Sequence, residues 1–337
     1  MSNTLNSAIA SSEGYSPSTE LIYNYLNRVL LMKFREPNVF EVGATVKNPG
    51  GDVKTNKIDF KKFGTITRGG KLDETDRVPI NNLDNTSVTM TIYEWGNGVG
   101  ITEQGREFNS IDPFIEAVNE LAEDSRMVHT LSVRDAFYSA TNIVYGGDAT
   151  GLADIADDDV FSFAMMEKLV TNARLQKMIP FIGELGRYYI AFVHPIHQSQ
   201  LISEMQTGTN NVKANLWQPV SSYAGRVNVF PEEIGMYQNI RFISTPLLKQ
   251  GYDDTDSDTY DADLAEGTAN KDALSGLLVG RESVGYHDKM MPQLRFDNSD
   301  FNRIQEAAWI GYWGNVMLQN QNILKFYTGT DLVGSSS

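Results

Sequence analysis

The sequence predicts an α+β protein built on long, extended elements, and three patterns carry that expectation. Apolar residues recur at helical spacing over residues 21–32 and again over 114–137. Residues 57–100 switch to a period of two. The second half then interleaves short, wholly apolar runs with helical stretches, an α/β-like alternation.

Residues 1–16 are small and polar and read as a mobile tail. Ser16 can cap a helix whose first residue is Pro17, with Glu20 in the first turn. Leu21, Ile22, Tyr25, Leu26, Val29, Leu30 and Met32 then share a face until Pro37 stops the run. So wide an apolar stripe needs a partner surface, and another chain is a candidate for it.

In the period-two stretch, Ile58, Phe60 and, past a register change, residues 64–67 read as one strand. Val88, Met90, Ile92 and Tyr93 read as the other. Between them RGGKLDETDRVPINNLDN (68–85) is polar and too long for a simple turn. The pattern predicts a two-stranded arm projecting from the body. Such a ribbon is marginal alone and is expected to lie on a neighbouring surface.

Asp112 followed by Pro113 opens the longest helix, with a capping side chain and a proline at the first helical position. Phe114, Val118, Leu121, Val128, Leu131 and Phe137 keep to one broad face. Running to Ala140, the helix would be a rod of roughly 42 Å. It reads as a spine.

Gly146, Gly147 and the acidic residues 154–159 set off the second half. A helix is expected over 163–178, before Pro180. YYIAFV (188–193) is the continuous apolar run of a strand buried on both faces. His194 and Pro195 follow, then a helix over 196–205. IRFIS (240–244) and residues 274–279 read as two further buried strands. Between them, residues 250–272 hold seven Asp and one Glu against one Lys, a solvated surface insertion by composition. AAWIGYWGNVML (307–318) and ILKFY (323–327) close the chain as long apolar strands.

At 337 residues the chain has the length of about two domains. With 28 Lys and Arg against 43 Asp and Glu, the formal charge is −15. That sign opposes binding of the average surface to nucleic acid or to anionic membranes. The absence of cysteine excludes disulfides, thiolate metal sites and a cysteine nucleophile. The first residues lack the cationic and apolar regions of a signal peptide, and no window is apolar for long enough to span a membrane as a helix.

Candidate chemistry is sparse. His194 and His197, three apart, could share a helix face and ligate a metal with Glu204. The plainer reading is that His194 ends a strand and caps the helix begun by Pro195. Asp254, Asp256 and Asp258 have the opening spacing of a calcium loop, but Thr259 stands where glycine is needed and Ala265 where the closing Glu belongs. GGKL (69–72) lacks the Ser or Thr of a phosphate loop, and GNGVG (96–100) reads as a flexible hinge. Ser283 in GRESVG is out of place for a nucleophile elbow. The only other histidines are His129 and His287. No acid, base and nucleophile assemble, so no catalytic, cofactor or metal site is expected. The residues favour a structural or binding protein.

Four segments in order carry a resemblance: YYIAFVHPIHQSQLISE (188–204), NIRFISTP (239–246) preceded by Gly235, LSGLLVGRESVGY (274–286) and EAAWIGYWGNVMLQNQNILKF (306–326). Together with the order arm, ribbon, spine, they are similar to the major capsid protein of tailed bacteriophages, the Hong Kong 97 type of fold. The likeness looks closest to the N4-like podophage family. It implies residues 1–56 as N-terminal tail and arm, 57–100 as an extended β-hairpin loop, 101–144 with 291–337 as a peripheral domain containing the spine, and 145–290 as an axial domain with the insertion at 250–272.

By the same resemblance the chain would form hexamers and pentamers of an icosahedral shell around double-stranded DNA, within the virion, after assembly in the bacterial cytoplasm. A scaffolding protein, a portal protein at one vertex and a decoration protein are the implied partners. Many relatives begin with a longer scaffolding segment, so here the scaffold would be a separate protein or the chain a matured form. The negative charge would keep packaged DNA from adhering to the wall. In some relatives a loop lysine bonds covalently to a neighbour's asparagine; Lys71 lies in the loop, but its context identifies no partner. Inter-subunit contacts are expected from the ribbon tip, at Arg68, Lys71, Asp73, Glu74, Asp76 and Arg77, and from Leu21, Tyr25 and Leu26 of the arm helix. An encapsulin-like compartment, which uses the same fold around an enzyme cargo, is one alternative. A metal-dependent hydrolase using His194, His197 and Glu204 is the other.

Overall fold

The computed structural model describes residues 17–34, 39–46, 55–63, 68–72, 74, 77–78, 80, 85–108, 113–156, 158–184, 186–207, 216–225, 228–251, 258–259, 261, 273–301 and 303–330. The tail expected at 1–16 and the strand segment expected at 64–67 lie outside them.

The arm helix α1 (Pro17–Phe34) ends before Pro37, as the spacing predicts. Its partner is its own chain. Leu26 and Leu30 pack against Val118, Leu121 and Ala122 of the spine helix α3 (Pro113–Tyr138). The same cluster takes in Leu294, Ala307, Trp309 and Trp313. The last four belong to a four-stranded sheet formed by β1 (Thr45–Val46), β12 (Val284–Ser299), β13 (Ile304–Met317) and β4 (Tyr93–Thr102), in that order. Two helices thus lie on one sheet and share an apolar layer. Within it the indoles of Trp95, Trp313 and Trp309 stack, with successive centroids 5.5 and 5.8 Å apart.

The second sheet has eight strands. Its path is β5 (Ile143–Tyr145), β14 (Ile323–Gly329), β11 (Ala273–Val279), β7 (Gly186–Val193), β10 (Ile240–Ser244), β9 (Glu233–Tyr237) and β8 (Trp217–Pro219); β6 (Phe181–Gly183) pairs with β7 off that path. The run 188–193 behaves as its sequence requires. Tyr189, Ala191 and Val193 enter one core with helices α4 (Phe163–Leu175) and α5 (Pro195–Thr207). Ile190 and Phe192 enter another with Phe40 and the end of the spine, Val133, Ala136 and Phe137. The parallel pair β7 and β10 supplies the α/β character read from sequence. The spine therefore serves both sheets, its first half covering one and its last turns the other.

Five points differ from the sequence reading. The second ribbon strand is β3 (Asn85–Thr91), paired with β2 (Lys57–Phe63), and it stops short of Tyr93. GNGVG is no hinge but the middle of β4, paired with β13. Its glycines permit close approach: a Cβ on Gly96 would lie 2.8 Å from the Trp309 carbonyl oxygen. Strand β12 escaped notice because its pairing with β13 shifts register between Asp288 and Met290 and again before Gln293, around Pro292, which breaks the period of two. The two closing strands, β13 and β14, lie in different sheets, parted by residues 318–322. Finally, the described residues of the acidic insertion divide: Asp258 is exposed, as composition predicts, while its neighbours pack. Gln250 and Thr259 are buried and bonded to each other, and Lys249 pairs with Asp261 at 3.1 Å.

Candidate assembly surface

The ribbon is anchored at its base and open at its tip. Cross-strand pairs Ile58 with Met90 and Phe60 with Val88 share one face, as period two requires. Ile58, Met90 and Ile92 are buried there against Tyr312 and Val316 of β13. On the other face the Thr89 hydroxyl donates to Asp59 at 2.5 Å. Beyond the strands, Arg68, Lys71, Glu74 and Arg77 are exposed, together with the apolar Leu72, Val78 and Ile80. Asp73 and Asp76 lie outside the described residues. A long polar connection carrying three exposed aliphatic side chains has more apolar surface than solvation alone favours.

The arm helix divides the other expected contacts. Tyr25 is 65% exposed, and the Leu21 side chain is outside what is described. Leu26 is only 3% exposed and belongs to the subunit's own core. It was expected at an interface because helical spacing marks an apolar face but does not say whose surface covers it.

The histidine pair is structural. The His194 Nδ1 accepts from the Ile196 main-chain N–H at 3.2 Å, which caps α5. The His197 Nδ1 accepts from the His194 main-chain N–H at 3.1 Å, leaving its Nε2 to meet the Thr328 hydroxyl at 2.8 Å. Glu204 accepts from the Phe163 main-chain N–H at 2.8 Å. One nitrogen of each histidine and one oxygen of Glu204 are thus spent on the backbone. Burial pushes His194 down to about 4; burial and then the neighbouring His194 push His197 down to about 3. Among the described residues no group of three or more His, Asp or Glu could hold a metal ion. In the calcium-like spacing, the Asp258 main-chain carbonyl instead accepts from buried Arg134 of the spine at 2.6 Å.

A groove of about 720 Å³ runs between the spine and strands β4 and β13, past Trp95, Ser132, Asp135 and Met317. Among the described residues, Glu94 and Asp135 are the only carboxylates on its walls, and no histidine or lysine lines it.

Two charged constructions were invisible in the sequence. His129 sits on the buried face of the spine with Nε2 3.0 Å from Asp288 of β12 and Nδ1 3.3 Å from Glu41. Burial alone would lower its pKa, but the two carboxylates outweigh that and raise it to about 9. At neutral pH it is a cation clasping the segment after the arm, the spine and the four-stranded sheet. Arg241 and Glu233 form the second, a buried pair at 2.5 Å with the guanidinium over the Phe230 ring. A periodicity reading treats each such residue as an isolated polar position, and its partners are distant in sequence or on an adjacent strand.

Compared with known proteins, residues 122–312, more than half of the chain, match the sequence pattern described as phage capsid protein. The chain belongs to the phage capsid protein family. It is a major capsid protein, a structural subunit that assembles with its own copies into the phage shell and resides in the virion. The family is one of structural proteins, not of enzymes. Among solved structures, the fold of this capsid protein is similar to that of the capsid of Ralstonia phage GP4. The TM-score is 0.68 at 15% identity, over 87% of this chain and 88% of that one. It is similar also to the head protein of Helicobacter pylori bacteriophage KHP40 (TM-score 0.61, 14% identity, 86% and 87% covered) and to the capsid of cyanophage Pam1 (0.60, 15%, 82% and 86%). These likenesses identify the Hong Kong 97 type of architecture. No curated protein matches the capsid protein in sequence.

Proposed function

We infer that this capsid protein builds an icosahedral shell of hexamers and pentamers around double-stranded DNA, and that the ribbon tip is a principal contact between copies. One observation carries the reading. The ribbon is fixed at its base by Ile58, Met90 and Ile92, yet its tip presents Arg68, Lys71, Glu74, Arg77, Val78 and Ile80 to solvent. Side chains of both signs and exposed aliphatic groups at the end of a held lever suit a neighbouring subunit better than water. Exposed Tyr25 of the arm helix, with Leu21 from the same helix, completes the proposed contact.

The four quoted segments support placement with the N4-like podophage capsids, with a separate scaffolding protein, a portal at one vertex and a decoration protein as partners. In this reading residues 1–56 are the arm and 57–92 the extended loop. Residues 93–144 with 291–322 form the peripheral domain, and 145–290 with 323–329 the axial domain. Strand β14 joins the axial side because it pairs with β5 and β11, and β4 joins the peripheral side because it pairs with β13.

Replacing Arg68, Lys71, Asp73, Glu74, Asp76 and Arg77 together by Ser tests the contact. The subunit should melt at the parent temperature while the yield of shells falls. An unchanged yield would rule the tip out.

A further inference from the structure

Phe301 is 98% exposed, and its backbone lies in the left-handed region at φ +56°, directly after Asp300 at φ +48°. Glycine is the residue suited to such a turn; a bulky side chain is strained there. The ring gains no burial within its own subunit, so the stability of the fold does not explain it. Strained, exposed aromatic residues point instead to a contact made elsewhere.

The described ends of the turn, Asp300 and Arg303, are tied to each other. The turn joins β12 to β13, the Arg303 main-chain N–H donates to the Asp300 carbonyl at 3.1 Å, and the two side chains pair at 3.2 Å. The short helix α2 (Glu103–Glu107) is tied to the same hairpin. Its Glu103 N–H donates to the Arg303 carbonyl at 2.8 Å, and Arg106 donates to Gln305 at 2.9 Å. Immediately after α2 stands Phe108, 82% exposed. Between the turn and α2 lies a cleft of about 450 Å³, walled by Thr102, Phe108 and Ile304 with Glu107, Asp300 and Arg303 among its charged groups. One end of the subunit thus carries an aromatic knob and, beside it, a cleft with an aromatic wall.

We propose that Phe301 of one copy seats in the Phe108 cleft of a neighbouring copy, making this end of the four-stranded sheet an interface of the shell. The occupant is a second copy because assembly with its own copies is what the protein does. Each copy presents knob and cleft at the same end, so the contact can repeat around a closed ring. Burial of both rings there offsets the strain of the turn.

The chain has no cysteine, so introduced thiols are unique. Copies carrying Phe108→Cys and copies carrying Phe301→Cys are co-expressed, and assembled shells are treated with a short bis-maleimide. A cross-link joining position 108 of one copy to position 301 of another is expected in shells and not in dissociated subunits. The second variant is Phe301→Gly, which should keep or raise the parent melting temperature while shell yield falls about tenfold or more. Shells in which both thiols label but never cross-link would overturn the contact, as would Phe301→Gly subunits that assemble like the parent. The parent chain in parallel separates the causes. Parent shells that form while the cysteine-bearing shells never cross-link overturn this contact alone; a parent that forms no shells overturns it together with the assembly reading.

Discussion

His129 and Asp288 stand 159 residues apart in the chain and 3.0 Å apart in the folded subunit. With Glu41 on the other ring nitrogen, the imidazolium holds three segments that no local pattern connects. The rings of Phe34, Tyr286 and Trp313 surround it. The pair has a direct consequence for stability.

Because the folded pKa of His129 is raised to about 9 from 6.5, its contribution is fully present below about pH 6.5 and is lost as pH rises through about 9. A shift of that size corresponds to about 3 kcal/mol. Urea unfolding midpoints should therefore fall between pH 7 and 9.5 in the parent. In His129→Gln they should start lower and fall less. A parent curve that is flat over that window would contradict the clasp.

His194 and His197 act at the other end of the scale. Both are held neutral by burial, with folded pKa values of about 4 and about 3. The unfolded chain takes up protons near pH 6.5 and the folded one does not, so stability is present above that pH and falls on acidification toward about 4. His197→Gln, which keeps a donor for Thr328, should flatten the acid limb measured by urea unfolding at pH 7, 5.5 and 4.5.

The buried pair Arg241 and Glu233 should be costly to break from one side. Arg241→Met leaves the Glu233 carboxylate buried without its cation and should cost about 3–5 kcal/mol. Adding Glu233→Gln should restore part of the loss. Denaturant unfolding of the single and double variants measures both.

Leu30 and Met32 are two residues apart on the arm helix and should behave oppositely. Leu30 is fully buried against the spine, and Leu30→Ala should cost about 2–5 kcal/mol. Met32 is 73% exposed, and Met32→Ala should change stability by no more than about 0.5 kcal/mol. Equal effects would mean that the arm does not dock on its own subunit.

Much of the fold was legible because single elements carry strong local signals. The spine shows an apolar face after Asp112 and Pro113, and YYIAFV shows a strand buried on both sides. What failed was information held by pairs of distant segments. Leu26 advertises an apolar face, but only Val118 and Leu121 reveal that the cover is internal. The glycines at 96 and 98 look like freedom until Trp309 and Ala308 press against them. Pro292 and the register shifts hid β12 from any test for alternation. Expected contacts at the ribbon tip followed from composition alone, whereas the exposed ring of Phe301 became notable only with its backbone angle.

The most direct measurement is negative-stain electron microscopy of the fast-sedimenting fraction from cells expressing the chain, alone and together with the proposed scaffolding protein. A shell subunit should give closed particles, tubes or hexagonal sheets in at least one of the two, with a lattice spacing that reports the size of the capsomer. Small discrete particles in both would contradict assembly into a shell.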